Sequence, residues 1–169
     1  MLLTRQQLEE RLIALHQASL QLVEDVSLET LLERIASVAC EQAQARYAAL
    51  GVLGNDGKLK QFISVGMTEN QIRRIPHPPV GRGLLGALMN TDQAIRVPEI
   101  SADSRSSGFP RNHPHMSSFL GVPIRLGEDQ LGQIYLTEKL DQLEFTADDE
   151  RIIQMLAAYA AGAIHNARI

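Results

Sequence analysis

Twice in this chain of 169 residues an apolar run leads through a turn into a second apolar run, and that repeat limits the fold more than any other feature. Residues 47–53 and 59–65 flank Gly54-Asn55-Asp56-Gly57, and residues 118–125 and 131–138 flank Gly127-Glu128-Asp129-Gln130. Short apolar segments joined by such turn residues predict two antiparallel hairpins. Helical patterns surround them. Leu8, Leu12, Leu15 and Leu22 recur at heptad-like spacing, predicting an amphipathic helix to about Val23. Ser27 can cap a second helix with an apolar face of Leu28, Leu31, Leu32, Ile35 and Val38, running to about Ala45. Residues 68–75, stopped by Pro76, and 84–89 read as short helices, and residues 94–97 as a brief strand. Thr146 with Asp149 three residues on opens a last helix with a stripe of Ile152, Met155, Leu156, Tyr159, Ala160, Ala163 and Ala167. This order predicts an α+β domain on a central antiparallel sheet, with helices on one face and ligand-covering loops on the other. Residues 1–26 form the N-terminal amphipathic helix, and residues 27–169 the domain proper with its C-terminal helical extension.

Composition narrows the partners. A net charge of -4 with no block of like charges argues against nucleic acid and against an anionic membrane surface. The one cysteine, Cys40, rules out a disulfide within the chain; on an apolar helical stretch it reads as a buried, inert thiol and suits a reducing cytoplasm. No run reaches about 18 apolar residues and the N-terminus lacks a signal-peptide core, so no membrane contact is expected of this segment. Ala167-Arg168-Ile169 still reads helical, which predicts that the helix continues or packs against a second copy.

Catalytic chemistry finds no foothold. The chain has no CxxC, no HExxH and no Ser-His-Asp signature, and it is read as a non-enzymatic domain. Gly81-Arg82-Gly83 lacks the context of a phosphate loop. His16 and His165 read as helix-surface residues, His165 being followed by Asn166 and Ala167 rather than by the acidic and basic pair of a phosphoacceptor; His77 reads as a loop residue. The triplet Asp148, Asp149 and Glu150 reads as a complement to the helix dipole. One segment does carry chemistry: residues 109–123, FPRNHPHMSSFLGVP, follow a long polar loop and deliver His113 and His115 into a strand. Pro110 and Pro114 fix φ and remove donors on either side of His113, so the loop is partly ordered in advance and can aim an imidazole at a ligand. Loops of that length in a small domain commonly carry function.

FLGVPI (residues 119–124) and GQIYLTEK (residues 132–139), in this element order, resemble the GAF domain, a small-molecule-sensing module of signalling proteins, over residues 27–169. RYAALGVL (46–53), GRGLLGALM (81–89), GFPRNHPHMSSFLGVPI (108–124) and IYLTEK further resemble the first GAF domain of the mycobacterial dormancy-regulon sensor histidine kinases. That resemblance implies a b-type haem held by His113, with Tyr135 on its distal side. A single axial histidine leaves the sixth iron position open to oxygen, nitric oxide or carbon monoxide. It also implies oxygen or redox sensing in a cytoplasmic two-component protein, a C-terminal kinase domain, and a homodimer through the terminal helices. His115 stands where that family tends to have proline; it competes as ligand, partners a propionate, or points to water. With no tryptophan and 4% aromatics, the pocket would draw on Phe109, Met116, Phe119, Leu120 and Ile124. Tyr135 has a second reading, a core ring with its hydroxyl at the rim. A different class of function stays open beside haem: a haem-free GAF module that binds a small anion or metabolite and acts as a regulatory dimerisation unit.

Overall fold

Among the described residues of the computed structural model, five strands, β1 (Ala45–Leu53), β2 (Leu59–Val65), β3 (Ile95–Val97), β4 (Phe119–Leu126) and β5 (Asp129–Lys139), build one sheet in the order β2-β1-β5-β4-β3. Every neighbouring pair is antiparallel. Among the described residues five helices accompany it: α1 (Arg5–Gln21), α2 (Leu28–Gln42), α3 (Glu69–Arg74), α4 (Gly83–Met89) and α5 (Ala147–Ala167), with 3-10 turns at Ile100–Ala102 and Leu140–Gln142. The structure describes residues 3–21, 27–74, 83–103 and 116–168. The predicted α+β class and element order both hold.

Local chemistry explains the boundaries. Ser27 accepts from the Thr30 N–H and caps α2. Thr146 and Asp149 form the reciprocal capping box of α5, each side chain accepting from the other's backbone N–H. Thr68 and Gln71 pair in the same reciprocal way at the start of α3. The first hairpin closes as expected, with Gly57 at a φ of 76° and the Gly54 N–H donating to the Lys58 carbonyl at 2.8 Å. The second is tighter than the four-residue turn expected: Leu126 pairs with Asp129, leaving Gly127 and Glu128 as the loop. Helix α2 stops at Gln42, short of Ala45, because the chain reverses through Gln44 at a φ of 54° and enters β1 at Ala45.

Helices α2 and α5 cover one face of the sheet. Leu50, Val52, Leu120, Val122, Ile124, Ile134 and Leu136 point at Leu32, Ile35, Ile152, Leu156 and Ile164, all buried. Each such aliphatic side chain contributes roughly 1.5–3 kcal/mol when removed from water. Three expectations are corrected here. The buried stripe of α5 is Ile152, Ile153, Leu156, Ala157, Ala160, Ala161 and Ile164, while Met155 and Tyr159 are exposed, because the helix is gripped between sheet and α2 along a line rotated from the one drawn. Leu120 and Ile124 face the helices by strand alternation, so they cannot line a pocket on the opposite face. Cys40 is half-buried rather than buried; its thiol donates to the Ala45 carbonyl at 3.1 Å, and burial raises its pKa.

Candidate ligand-binding face

The other face of the sheet has its own apolar cluster: Tyr47, Leu84, Leu88, Ile95, Val97, Ile100, Met116 and Phe119, with Met67, Leu85, Ala87 and Tyr135 packed against it. Strand register puts Tyr135 at its centre. Its neighbours across the two seams of β5 are Ala49 on β1 and Gly121 on β4, two small residues that leave room for rings from the diagonal positions. Its ring stacks on Phe62 at 6.4 Å and on Phe119 at 6.2 Å, with interplanar angles of 28° and 21°. Among the described residues the Tyr135 hydroxyl has no hydrogen-bond partner, and no buried side-chain polar atom is left unpaired. That hydroxyl is a donor on a largely apolar face. Burial pushes its pKa far above the ordinary value, so it stays a neutral donor at every physiological pH.

One side of this face is filled. A Cβ on Gly121 would stand 2.7 Å from Leu88 Cδ2 and 2.8 Å from the Phe119 ring, so helix α4 already sits over that corner. The Gln130 amide fixes it there by donating to the Leu88 and Thr91 carbonyls at 3.0 and 3.1 Å, and Gln133 Nε2 holds Gln130 by donating to its Oε1 at 2.6 Å. Below Phe119, Met116 is buried and its thioether accepts from the Thr137 hydroxyl at 2.9 Å. Ser117 then donates from its N–H and hydroxyl to Glu138 Oε1, which fastens the start of β4 to the end of β5. Sequence reasoning missed this clamp, since Glu138 reads simply as a polar strand-end residue.

The sequence-derived site residues divide into two groups. Met116, Phe119 and Tyr135 come together on this face. His113, His115 and Phe109 lie outside the described residues, as do Pro110, Pro114 and His77. His165 is exposed on α5. Among the described residues no group of three or more His, Cys, Asp or Glu side chains could hold a metal ion. The wall suits a largely apolar ligand, and the polar side-chain atom at its centre is the Tyr135 hydroxyl. A separate open cleft of about 310 Å³ lies against β3, lined by Arg96, Glu144, Phe145 and Glu150 among others, but Arg96 is already paired with Glu150 at 3.0 Å. Among the described residues no helix is long and apolar enough to cross a membrane.

The chain belongs to the GAF domain family, whose profile matches residues 25–165. The fold agrees with solved GAF structures. The GAF domain of a phosphoenolpyruvate-protein phosphotransferase from Coxiella burnetii superposes with a TM-score of 0.82 at 21% identity, covering 95% of this chain and 96% of that one. The GAF domain of a sensor histidine kinase from Pseudomonas syringae pv. tomato gives 0.68 at 18% identity, covering 96% and 90%. Free methionine-R-sulfoxide reductase from Neisseria meningitidis, solved with its substrate, gives 0.76 at 14% identity, covering 99% and 96%. The fold thus serves regulatory modules and at least one kind of enzyme, and at these identities the likeness concerns the fold.

Proposed function

We propose that this GAF domain is the sensory module of a cytoplasmic two-component signalling protein, most simply a histidine kinase, and that its ligand is b-type haem held through His113. The observation that carries the reading is the Tyr135 hydroxyl: a neutral donor with no partner among the described residues, at the centre of an apolar face, on the strand whose IYLTEK run contributes to the resemblance. Bound haem would supply an iron with one open position for a diatomic gas. The protein's own contribution is positional. Phe62 and Phe119 hold the Tyr135 ring in place, and its hydroxyl donates a hydrogen bond to a polar ligand on that side. Met116 and Phe119 wall the lower edge and keep water out. Thr137 fixes the Met116 thioether and so the chain immediately after His115. The sensor reading also has the terminal helices pairing between two copies, supported by exposed Met155 and Tyr159 on α5 and Leu12 and Ile13 on α1.

The test is an absorption spectrum after haem reconstitution, in ferric, ferrous and carbon monoxide forms, for the wild type and for His113→Ala and His115→Ala. A Soret band that carbon monoxide shifts, and that only His113→Ala abolishes, is the expected result. Loss in His115→Ala alone would move the ligand to His115. Absence of stoichiometric uptake would overturn haem and leave a GAF module for a small anion or metabolite, which a ligand-raised melting temperature would reveal.

A further inference from the structure

At the end of the sheet where β5 finishes, three non-glycine residues have positive φ: Gln44 at 54°, Glu138 at 61° and Asp141 at 62°. Glu138 has the largest consequence. Tyr135 and Thr137 belong to the ligand-side face, and strict alternation would put Lys139 beside them. The left-handed turn of the backbone at Glu138 sends Lys139 to the helix side instead. There its Nζ donates to Asp149 Oδ2 at 2.8 Å and to the Ala43 carbonyl at 2.8 Å, and stands 5.8 Å from the Phe145 ring. The other oxygen of Asp149 accepts from Arg11 Nη1 at 2.8 Å, and Arg11 Nη2 reaches Gln44 Oε1 at 3.2 Å. One fully buried carboxylate therefore joins α1, β5 and α5.

The same dipeptide grips the opposite side of the sheet. Glu138 Oε1 accepts from the Ser117 N–H and hydroxyl, the Glu138 N–H donates to the Ser118 carbonyl at 3.1 Å, and the Lys139 N–H donates to Ser118 Oγ at 2.8 Å. We propose that Glu138 and Lys139 form a relay that couples the entrance of β4, beside the ligand face, to the paired helices α1 and α5 through Asp149 and Arg11. A displacement of Ser117 pulls on the Glu138 carboxylate. Lys139 keeps its place on Asp149 only while Glu138 holds its unusual backbone angle, so the two sides cannot relax separately. The relay operates whichever ligand the face takes, and its coupling is reciprocal between the two ends.

A mutant cycle decides it. Ser117 and Arg11 share no contact, and changes at sites without shared partners add. Urea unfolding of Ser117→Ala, Arg11→Gln and the double variant is expected to show non-additivity: the double variant's unfolding constant should fall short of the product of the single effects by at least about twofold. Additive effects would overturn the relay. Should either variant fail to fold, Glu138→Gln, which keeps the side-chain shape and one acceptor, serves in its place. Amide exchange then has to accelerate in α1 and the first turn of α5 as well as at residues 117–119; acceleration confined to residues 117–119 would overturn the relay.

Discussion

Lys139 Nζ and Asp149 Oδ2 stand 2.8 Å apart, with side chains only 5% and 0% exposed, so this ion pair belongs to the interior of the domain. A buried pair adds little against a well-packed apolar replacement, but losing one partner strands the other charge. Lys139→Met is expected to cost about 3 kcal/mol, the low end of the range for such losses because Arg11 still faces Asp149. Urea denaturation of the variant checks this; a loss below about 1 kcal/mol would place the pair among inconsequential surface contacts.

The same carboxylate sets an acid limb of stability. Burial alone would raise the Asp149 pKa, but hydrogen bonds from Lys139, the Thr146 backbone and Arg11, together with the Lys139 charge, outweigh it and hold the pKa below the ordinary value. Its contribution is therefore fully present above the unfolded pKa of about 3.9 and is lost as pH falls from there through the lowered folded value. Stability curves of wild type and Asp149→Asn should differ most at neutral pH and converge as the pH drops below that window. A constant offset across all pH would contradict the assignment.

Tyr135→Phe keeps both ring stacks and removes a hydroxyl without a partner among the described residues, so stability at pH 7 should change by less than about 1 kcal/mol. The phenol of the wild type should resist ionisation while the chain stays folded. Because its folded pKa is raised, its stabilising contribution is present below the unfolded value of about 10 and declines as pH climbs past it. Ultraviolet phenolate titration of the two proteins, read before unfolding, should give identical amplitudes. A larger amplitude in the wild type would mean an exposed Tyr135.

Two glycines separate a geometric need from a conformational one. A Cβ on Gly132 would meet the Gly51 carbonyl oxygen at 2.0 Å, across the β1–β5 seam, where only backbone can yield. Gly132→Ala should cost about 3 kcal/mol or more. Gly57 has nothing within 4 Å of its missing Cβ but a φ of 76°, so Gly57→Asn should be nearly silent while Gly57→Val costs about 1–2 kcal/mol. Thermal melts of the three variants test the ordering.

Met155 and Tyr159, one helical turn apart on α5, are 44% and 46% exposed. If α5 pairs between copies, Tyr159→Glu should convert a dimer to a monomer in sedimentation without lowering the melting temperature of the monomer unit. A wild type that is monomeric at all concentrations would end the dimer proposal.

The strands and caps were readable because their signals are local: turn residues set both hairpins, and Thr146 with Asp149 set the start of α5. Tyr135 was readable through the family resemblance, and Met116 and Phe119 as apolar residues close to the histidine loop; the structure brings the three together. What sequence could not show depends on where non-local partners sit. Asp149 looked like a helix-dipole residue because Lys139 and Arg11 approach it from other elements. Leu120 and Ile124 looked like pocket residues because strand alternation gives two faces and leaves open which one holds the ligand. The buried side of α5 was misplaced because Met155 and the Tyr159 ring fit an apolar stripe as readily as Ile153 and Ala157, and the docked position of the helix distinguishes them.

The strand that carries Tyr135 is the last of the five described strands, yet it lies in the middle of the sheet and pairs with the first, from Val52 and Gly132 to Ala45 and Lys139. On a ribosome the β1–β2 hairpin emerges early and must wait, with one edge unsatisfied, until nearly the whole domain has been synthesised. Closure of the sheet is thus a late and long-range event, which should make refolding slow for a domain of this size and make the waiting hairpin the segment most in need of a chaperone.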